Sequence, residues 1–271
     1  MIQDIRYAVR ILIKTPVYTS IVVLTMALGI GANTAIFSVV NDVLLRPLPY
    51  ANPDQLTLLR ETNPRQATDQ LNVSPANFLD WREQNQTFEA LAAFRYWGYV
   101  LTGTTEPERL RGMRVSADFF QILRVEPAIG RLFLKGEDES GAEPVIIMGH
   151  GLWQRRFGGD PNLVGQSVVL DGQNYTVAGI LPADFQFRER PVDVWVPLVF
   201  QSYDLQSRDR QWLQVLGRLK PDVSMARAQS DMDVIARRLA EQHPESNGNR
   251  GIGIQSLHAA LTGDLRPTLP G

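Results

Sequence analysis

A chain of 271 residues is long for one domain and short for two, and 44% hydrophobic with 21% charged residues describes a folded protein rather than a disordered one. The net charge of −2 gives nucleic acid no electrostatic footing, which excludes it as a partner. The absence of cysteine excludes disulfides, thiolate metal sites and cysteine nucleophiles.

In residues 1–15, Ile2, Ile5, Val9, Leu12 and Ile13 recur at helical spacing, with Arg6, Arg10 and Lys14 on the other side. This pattern predicts an amphipathic helix lying at a membrane interface, although the first turns of a longer helix would read the same way. From Thr15 to Asn41, 27 consecutive residues then carry no charge. As a helix they would reach about 40 Å, against a hydrocarbon core of about 30 Å, so 16–45 is predicted to be a transmembrane helix. A cleaved signal sequence would be shorter and end at an A-x-A-like site, whereas here apolar residues continue through Val43, Leu44 and Leu45. Arg6, Arg10 and Lys14 precede the span and Asp42 and Arg46 cancel after it. Positive charge stays inside, so the amino terminus is expected in the cytoplasm of a bacterial cell and the main domain in the periplasm.

Within the span, Ala27, Gly31 and Ala35 stand four residues apart and form a small-residue line suited to a neighbouring helix, with Asn33 as a polar group that prefers protein to lipid. Arg46, Pro47 and Pro49 form the membrane-exit junction, where the two prolines end any regular helix and stiffen the chain.

Beyond the junction, short β-like and α-like segments alternate, which indicates an α+β domain. Leu56 to Arg60 reads as a strand. Ser74-Pro75 offers a capping hydroxyl and a first-turn proline for a helix through Gln84. Thr87 to Phe94 reads as a short helix, Tyr96 to Leu101 and Arg109 to Ser116 as strands, and Ser116 to Leu123 as a helix with Phe119 and Phe120 in the core. Val145 to Met148 is an apolar strand, and the helix from Gly151 to Phe157 is ended by Gly158-Gly159. Ser167 to Leu170 and Tyr175 to Ile180 flank Asp171-Gly172, a pair that takes the positive φ angles of a hairpin turn. Trp212 to Leu219 reads as a strand. After Ser224, the spacing of Met225, Ala228, Met232, Ile235 and Leu239 predicts a helix that closes before Pro244.

No constellation for chemistry emerges. His150, His243 and His258 lack metal-ligand spacing, and the acidic run Glu137, Asp138, Glu139 reads as a solvated turn. There is no G-x-x-x-x-G-K-[ST] loop, so ATP cannot be bound here in the P-loop manner. No catalytic, cofactor-binding or metal-binding residue is assigned.

Two blocks carry a family resemblance. Leu28-Gly29-Ile30-Gly31-Ala32-Asn33-Thr34-Ala35-Ile36-Phe37-Ser38-Val39-Val40-Asn41, with Leu44-Leu45-Arg46-Pro47-Leu48-Pro49-Tyr50, resembles the opening of MacB/FtsX-type ABC transporter permeases, most nearly the duplicated orphan permease subgroup. His150-Gly151-Leu152-Trp153-Gln154-Arg155-Arg156-Phe157-Gly158-Gly159-Asp160-Pro161, Val164-Gly165, Leu170-Asp171-Gly172, Tyr175 to Pro182 and Asp193 to Leu198 resemble the extracytoplasmic core domain of the same family. The resemblance implies one N-terminal transmembrane helix followed by a mixed α/β periplasmic domain of two lobes over 46–271. It implies an inner-membrane permease subunit for export or efflux. ATP would be bound by a partner ABC ATPase subunit, and the other partners would be the remaining permease helices or a second permease copy, membrane lipid and a periplasmic adaptor. The family has three later transmembrane helices that this sequence does not contain, so the chain is expected to be the first part of a truncated or split permease. The alternative from another class is a membrane-anchored periplasmic binding or sensing module without transport.

Overall fold

The computed structural model describes residues 16–40, 50–63, 68–103, 106–188 and 191–263; side chains at 18, 22, 35–40, 68–70, 262 and 263 are outside that set. The expected interfacial helix in residues 1–15 and the junction residues Arg46, Pro47 and Pro49 lie outside the described residues. Two units are present, 1–47 and 48–271.

The first unit contains helix α1, Pro16–Val40. It opens on proline, which suits a first helical turn, and has no charge in its first or last turn. Apolar side chains stand out on opposite sides, with Val17 75% and Leu28 72% exposed on one and Val23 58%, Met26 64% and Ile30 66% on the other. Taken over the described residues alone, no helix is long and apolar enough to cross a membrane.

The second unit is an α+β domain built on an 11-stranded sheet. The strands are β1 Leu56–Asn63, β2 Thr68–Leu71, β3 Phe88–Thr102, β4 Glu108–Val115, β5 Ile129–Gly130, β6 Val145–Met148, β7 Ser167–Leu170, β8 Gln173–Ile180, β9 Val194–Pro197, β10 Gln214–Leu219 and β11 Gly251–Ser256. Their order is β11-β1-β10-β3-β4-β9-β6-β8-β5, with β2 on β1 and β7 bridging β3 and β8. The pairings β3-β4, β4-β9, β9-β6, β6-β8, β8-β7 and β7-β3 run in a closed circle. One lobe is therefore a small barrel around Tyr99, Leu101, Ile146, Met148, Val177 and Val194. The other is the open part of the sheet, β11-β1-β10-β3, buried on both faces. These are the two expected lobes, and the 15-residue β3 belongs to both.

Helices cover the open sheet: α2 Pro75–Gln84, α3 Phe119–Leu123 and α6 Met225–Gln242. The Ser74 hydroxyl accepts from the Asn77 amide at 3.3 Å to cap α2, which buries Phe78 and Trp81. Ser224 caps α6 by accepting from the Arg227 amide, and the stripe Ala228, Met232, Ile235 and Leu239 is buried. Short helices α4 His150–Phe157, α5 Ser202–Gln206, α7 Pro244–Asn247 and α8 Leu257–Gly263 complete the unit. The hairpin β7-β8 turns through Asp171 at φ 50° and Gly172 at φ 80°.

The helix expected over Thr87 to Phe94 is instead the first half of β3. The Glu-Ala-Leu-Ala-Ala run favours a helix in isolation, but Leu91 and Ala93 are buried on one face of the sheet and Ala92 and Phe94 on the other. Burial on both faces outweighs an intrinsic preference of tenths of a kcal/mol per residue. The helix expected over Ser116 to Leu123 shortens to α3 because the Ser116 hydroxyl caps the sheet, accepting from the Ala93 amide at 2.6 Å.

Candidate functional site

The chain passes into the domain at Tyr50 and reaches its last described helix, α8, at the same pole. Tyr50, Leu56 and Leu58 share one buried cluster with Leu257 and Ala260 of α8, and α8 packs on the 3-10 turn Pro53–Gln55 and on β1. The Tyr50 hydroxyl donates to the Gln186 carbonyl at 2.7 Å, and burial pushes its phenol above the ordinary range. Asn52 sits at φ 49°, a left-handed conformation that asparagine tolerates and that turns the chain into the 3-10 helix.

Arg218 of β10 holds this pole from inside. Its side chain is buried, at 1% exposure, yet among the described residues it has no carboxylate in ion-pair reach. The guanidinium donates to the Ile122 carbonyl at 2.5 Å, the Ala51 carbonyl at 3.0 Å, the Gln55 amide oxygen at 3.2 Å and the Asn52 carbonyl at 3.3 Å. Burial and the nearby Arg124 lower its affinity for the proton, with Glu89 opposing. One cation thus gathers three residues of the incoming segment, Ala51, Asn52 and Gln55, and the end of α3. The arrangement positions backbone; it does not transfer protons.

A second cluster organises the barrel. Asp193, just before β9, is 6% exposed. Its Oδ2 accepts from the Arg111 amide at 2.9 Å and from Arg111 Nε at 3.3 Å, and its Oδ1 accepts from Arg155 Nη2 at 3.0 Å. The Gly149 amide donates to the Asp193 carbonyl at 2.8 Å, so α4 begins against β9. A Cβ on Gly149 would lie 2.9 Å from the Val192 carbonyl, so only glycine allows this approach. The helix ends at Gly158 and Gly159, at φ 61° and 73°, and Trp153 Nε1 donates to the Asp160 carbonyl at 2.9 Å.

A match to the MacB-like periplasmic core domain covers residues 19–235. The chain belongs to this family. Similar solved structures include a domain of a putative permease protein from Porphyromonas gingivalis, with TM-score 0.58 and 14% identity over 76% of this chain and 92% of that one. The periplasmic region of MacB from Actinobacillus actinomycetemcomitans gives TM-score 0.55 and 12% identity over 80% of this chain and 94% of that one. The extracellular domain of the noncanonic ABC-type transporter YknZ from Gram-positive bacteria gives TM-score 0.51 and 13% identity over 73% of this chain and 99% of that one. No match was found among curated proteins. At these identities the structures bear on the fold alone.

In this MacB-like core domain, the block from His150 to Pro161 and the run from Asp193 to Leu198 serve the architecture: they meet through Asp193, Arg155 and Gly149. Burial on its own would raise the Asp193 carboxyl, but the Arg111 amide and the Arg155 and Arg111 guanidinium groups hold it below the usual carboxylate range. A depressed folded value adds stability above the unfolded pKa of about 3.9 and loses it as pH falls through the folded value. Asp193→Asn is therefore expected to lower stability by about 1–2 kcal/mol at pH 7 and by less at pH 3, as read from urea unfolding at the two pH values.

Of the residues singled out in the sequence, Ala27, Gly31 and Asn33 lie exposed on α1, and a Cβ on Gly31 would meet nothing within 4 Å. Ala35 lies on the same helix, with its side chain outside the described set. Sequence reasoning passed over Arg218 and also Glu61, a β1 carboxylate at 1% exposure. Glu61 Oε1 accepts from the Ser74 amide at 3.0 Å and Asn77 Nδ2 at 2.8 Å, and Oε2 accepts from Arg250 Nη1 at 2.6 Å and from Gln211. Glu61 stands in the polar half of β1, Arg60-Glu61-Thr62-Asn63, so nothing in the local sequence marked it as buried. Among the described residues, no group of three or more His, Asp or Glu side chains could hold a metal ion.

Proposed function

We propose that this chain is a permease component of an ABC-type transporter in which α1 crosses the bacterial inner membrane and the MacB-like domain stands in the periplasm. In this reading a partner ATPase binds and hydrolyses ATP in the cytoplasm, α1 shifts, and the junction at Arg46, Pro47 and Pro49 passes the shift to the domain for export or efflux. The supporting observation is the pole of the domain: the segment after the junction is clamped by Arg218 and packed against α8, so displacement of that segment must displace the sheet. Ala27, Gly31 and Ala35 would receive the partner permease helices or a second permease copy, with Asn33 turned to protein and the remaining apolar side chains to lipid. A periplasmic adaptor would meet the domain away from this pole.

Alkaline phosphatase fused after Tyr50 tests the orientation. The fusion is expected to be active in cells, and a cytoplasmic reporter at the same position inactive. The opposite pair of results would reverse the topology and remove the periplasmic reading.

A further inference from the structure

Arg95 of β3 and Arg114 of β4 lie directly opposite each other in the β3-β4 register. Like charges so placed disfavour strand pairing, and a carboxylate between them is the ordinary remedy. Among the described residues neither forms an ion pair. Both are held on aromatic rings instead. The Arg95 guanidinium lies 4.5 Å from the ring centres of both Trp97 and Trp212, and that of Arg114 lies 4.7 Å from Trp97 and 5.8 Å from Tyr99. Arg114 Nε also donates to the Tyr99 hydroxyl at 2.9 Å. Two cations therefore share one indole, and that indole is 39% exposed.

The surroundings add to the positive field. Arg210 lies 5.2 Å from the ring of Tyr203, and Tyr203 and Leu205 are exposed apolar side chains on α5. Tyr203 and Asp204 are near enough to act on Arg95, but the Asp204 carboxylate is buried and occupied at the α5 amino terminus, where it accepts from the Gln201 amide at 3.0 Å. Burial, followed by the field of Arg114, lowers the proton affinity of Arg95. The stacking fixes both planar guanidinium groups and itself consumes no hydrogen-bond donor, so that of Arg114 only Nε is engaged among the described residues, by the Tyr99 hydroxyl.

We infer that the face formed by Arg95, Trp97 and Arg114 docks an acidic, carboxylate-bearing segment of a partner protein. Glutamate and aspartate carboxylates would supply the missing counter-charge in charge-assisted hydrogen bonds, and their neighbours would lie on Trp97, Tyr203 and Leu205. Arg95 and Arg114 are half-buried beside the exposed Trp97, a partly aromatic surface that suits a polypeptide better than a free phosphate, whose oxygens call for donors converging in a pocket. This inference depends on neither transport nor membrane orientation.

The test uses the full chain in detergent micelles with fluorescein-labelled hexaglutamate as the probe, followed by anisotropy. The expected result is binding that weakens with added salt and falls by roughly tenfold or more in R95Q/R114Q, with thermal unfolding unchanged. R95K/R114K keeps both charges without the planar stack and is expected to fall between the two. The proposal is overturned if hexaglutamate binds wild type and R95Q/R114Q equally, or fails to bind at millimolar concentration. It is also overturned if inorganic phosphate or phosphatidylglycerol vesicles bind in an Arg95- and Arg114-dependent way while hexaglutamate does not.

Discussion

Arg218→Met is expected to destabilise the domain by about 3–5 kcal/mol, because it removes a buried cation and leaves its acceptors without a donor. Methionine keeps most of the stem's volume, so the loss reports the hydrogen bonds rather than a cavity. The carbonyls of Ile122, Ala51 and Asn52 and the Gln55 amide oxygen all depend on this guanidinium. Arg218→Lys retains the charge but offers a single point of donation, and about half the loss is expected. Urea unfolding of the 48–271 unit decides the matter; a methionine variant within about 1 kcal/mol of wild type would mean that water satisfies these carbonyls and that Arg218 is no clamp. The same substitution should free the incoming segment before it melts the barrel, since none of the acceptors belongs to the barrel strands.

Glu61→Leu is the second large effect, again about 3–5 kcal/mol. The carboxylate ties β1 to three other parts of the chain: the start of α2 through Ser74 and Asn77, the stretch before β10 through Gln211, and the α7-β11 connection through Arg250. Leucine fits an apolar strand by volume but leaves the Arg250 guanidinium, whose side chain is only 18% exposed, beside an apolar group. Arg250 still has Asp209 at 3.1 Å as a second partner, so the loss should be smaller than that of a fully stranded cation. The double variant Glu61→Leu, Arg250→Met should recover part of the stability lost in the single one. With Arg250→Met alone completing the cycle, a double variant that loses as much as the two single variants summed would show that the pair is not coupled.

Much of the architecture was legible because local chemistry and burial agree. The Ser74 cap, the Asp171-Gly172 turn and the Ala228, Met232, Ile235, Leu239 stripe each follow from a rule that acts within a few residues. Thr87 to Phe94 was misread because its helix-favouring alanines lie in a strand buried on both faces, a circumstance set by β10 more than a hundred residues later. The six-strand closure, which joins β7 back to β3, is likewise a long-range pairing with no local signature. Strand β11, Gly251–Ser256, alternates glycine with isoleucine, and the glycines weaken the strand signal that the isoleucines carry. The candidate sites were the least legible part. Arg218, Glu61, Arg95 and Arg114 read as surface charges in sequence, and only packing reveals which carbonyls, amides and rings surround them. The motif from His150 to Pro161, by contrast, identified the family correctly while its role is architectural.

In the proposed transporter, ATP bound by a partner would move α1 relative to the MacB-like domain. These 271 residues lack cysteine, so spin labels at Thr34→Cys on α1 and Asp54→Cys in the 3-10 turn, both exposed positions, report that distance once any cysteines of the partner chains are replaced. In the intact transporter with its ATPase, pulsed electron–electron resonance is expected to give one distance distribution without nucleotide and a shifted one with ATP trapped on a hydrolysis-deficient ATPase. Identical distributions in the two states would contradict the account and leave an anchored domain that binds without being moved.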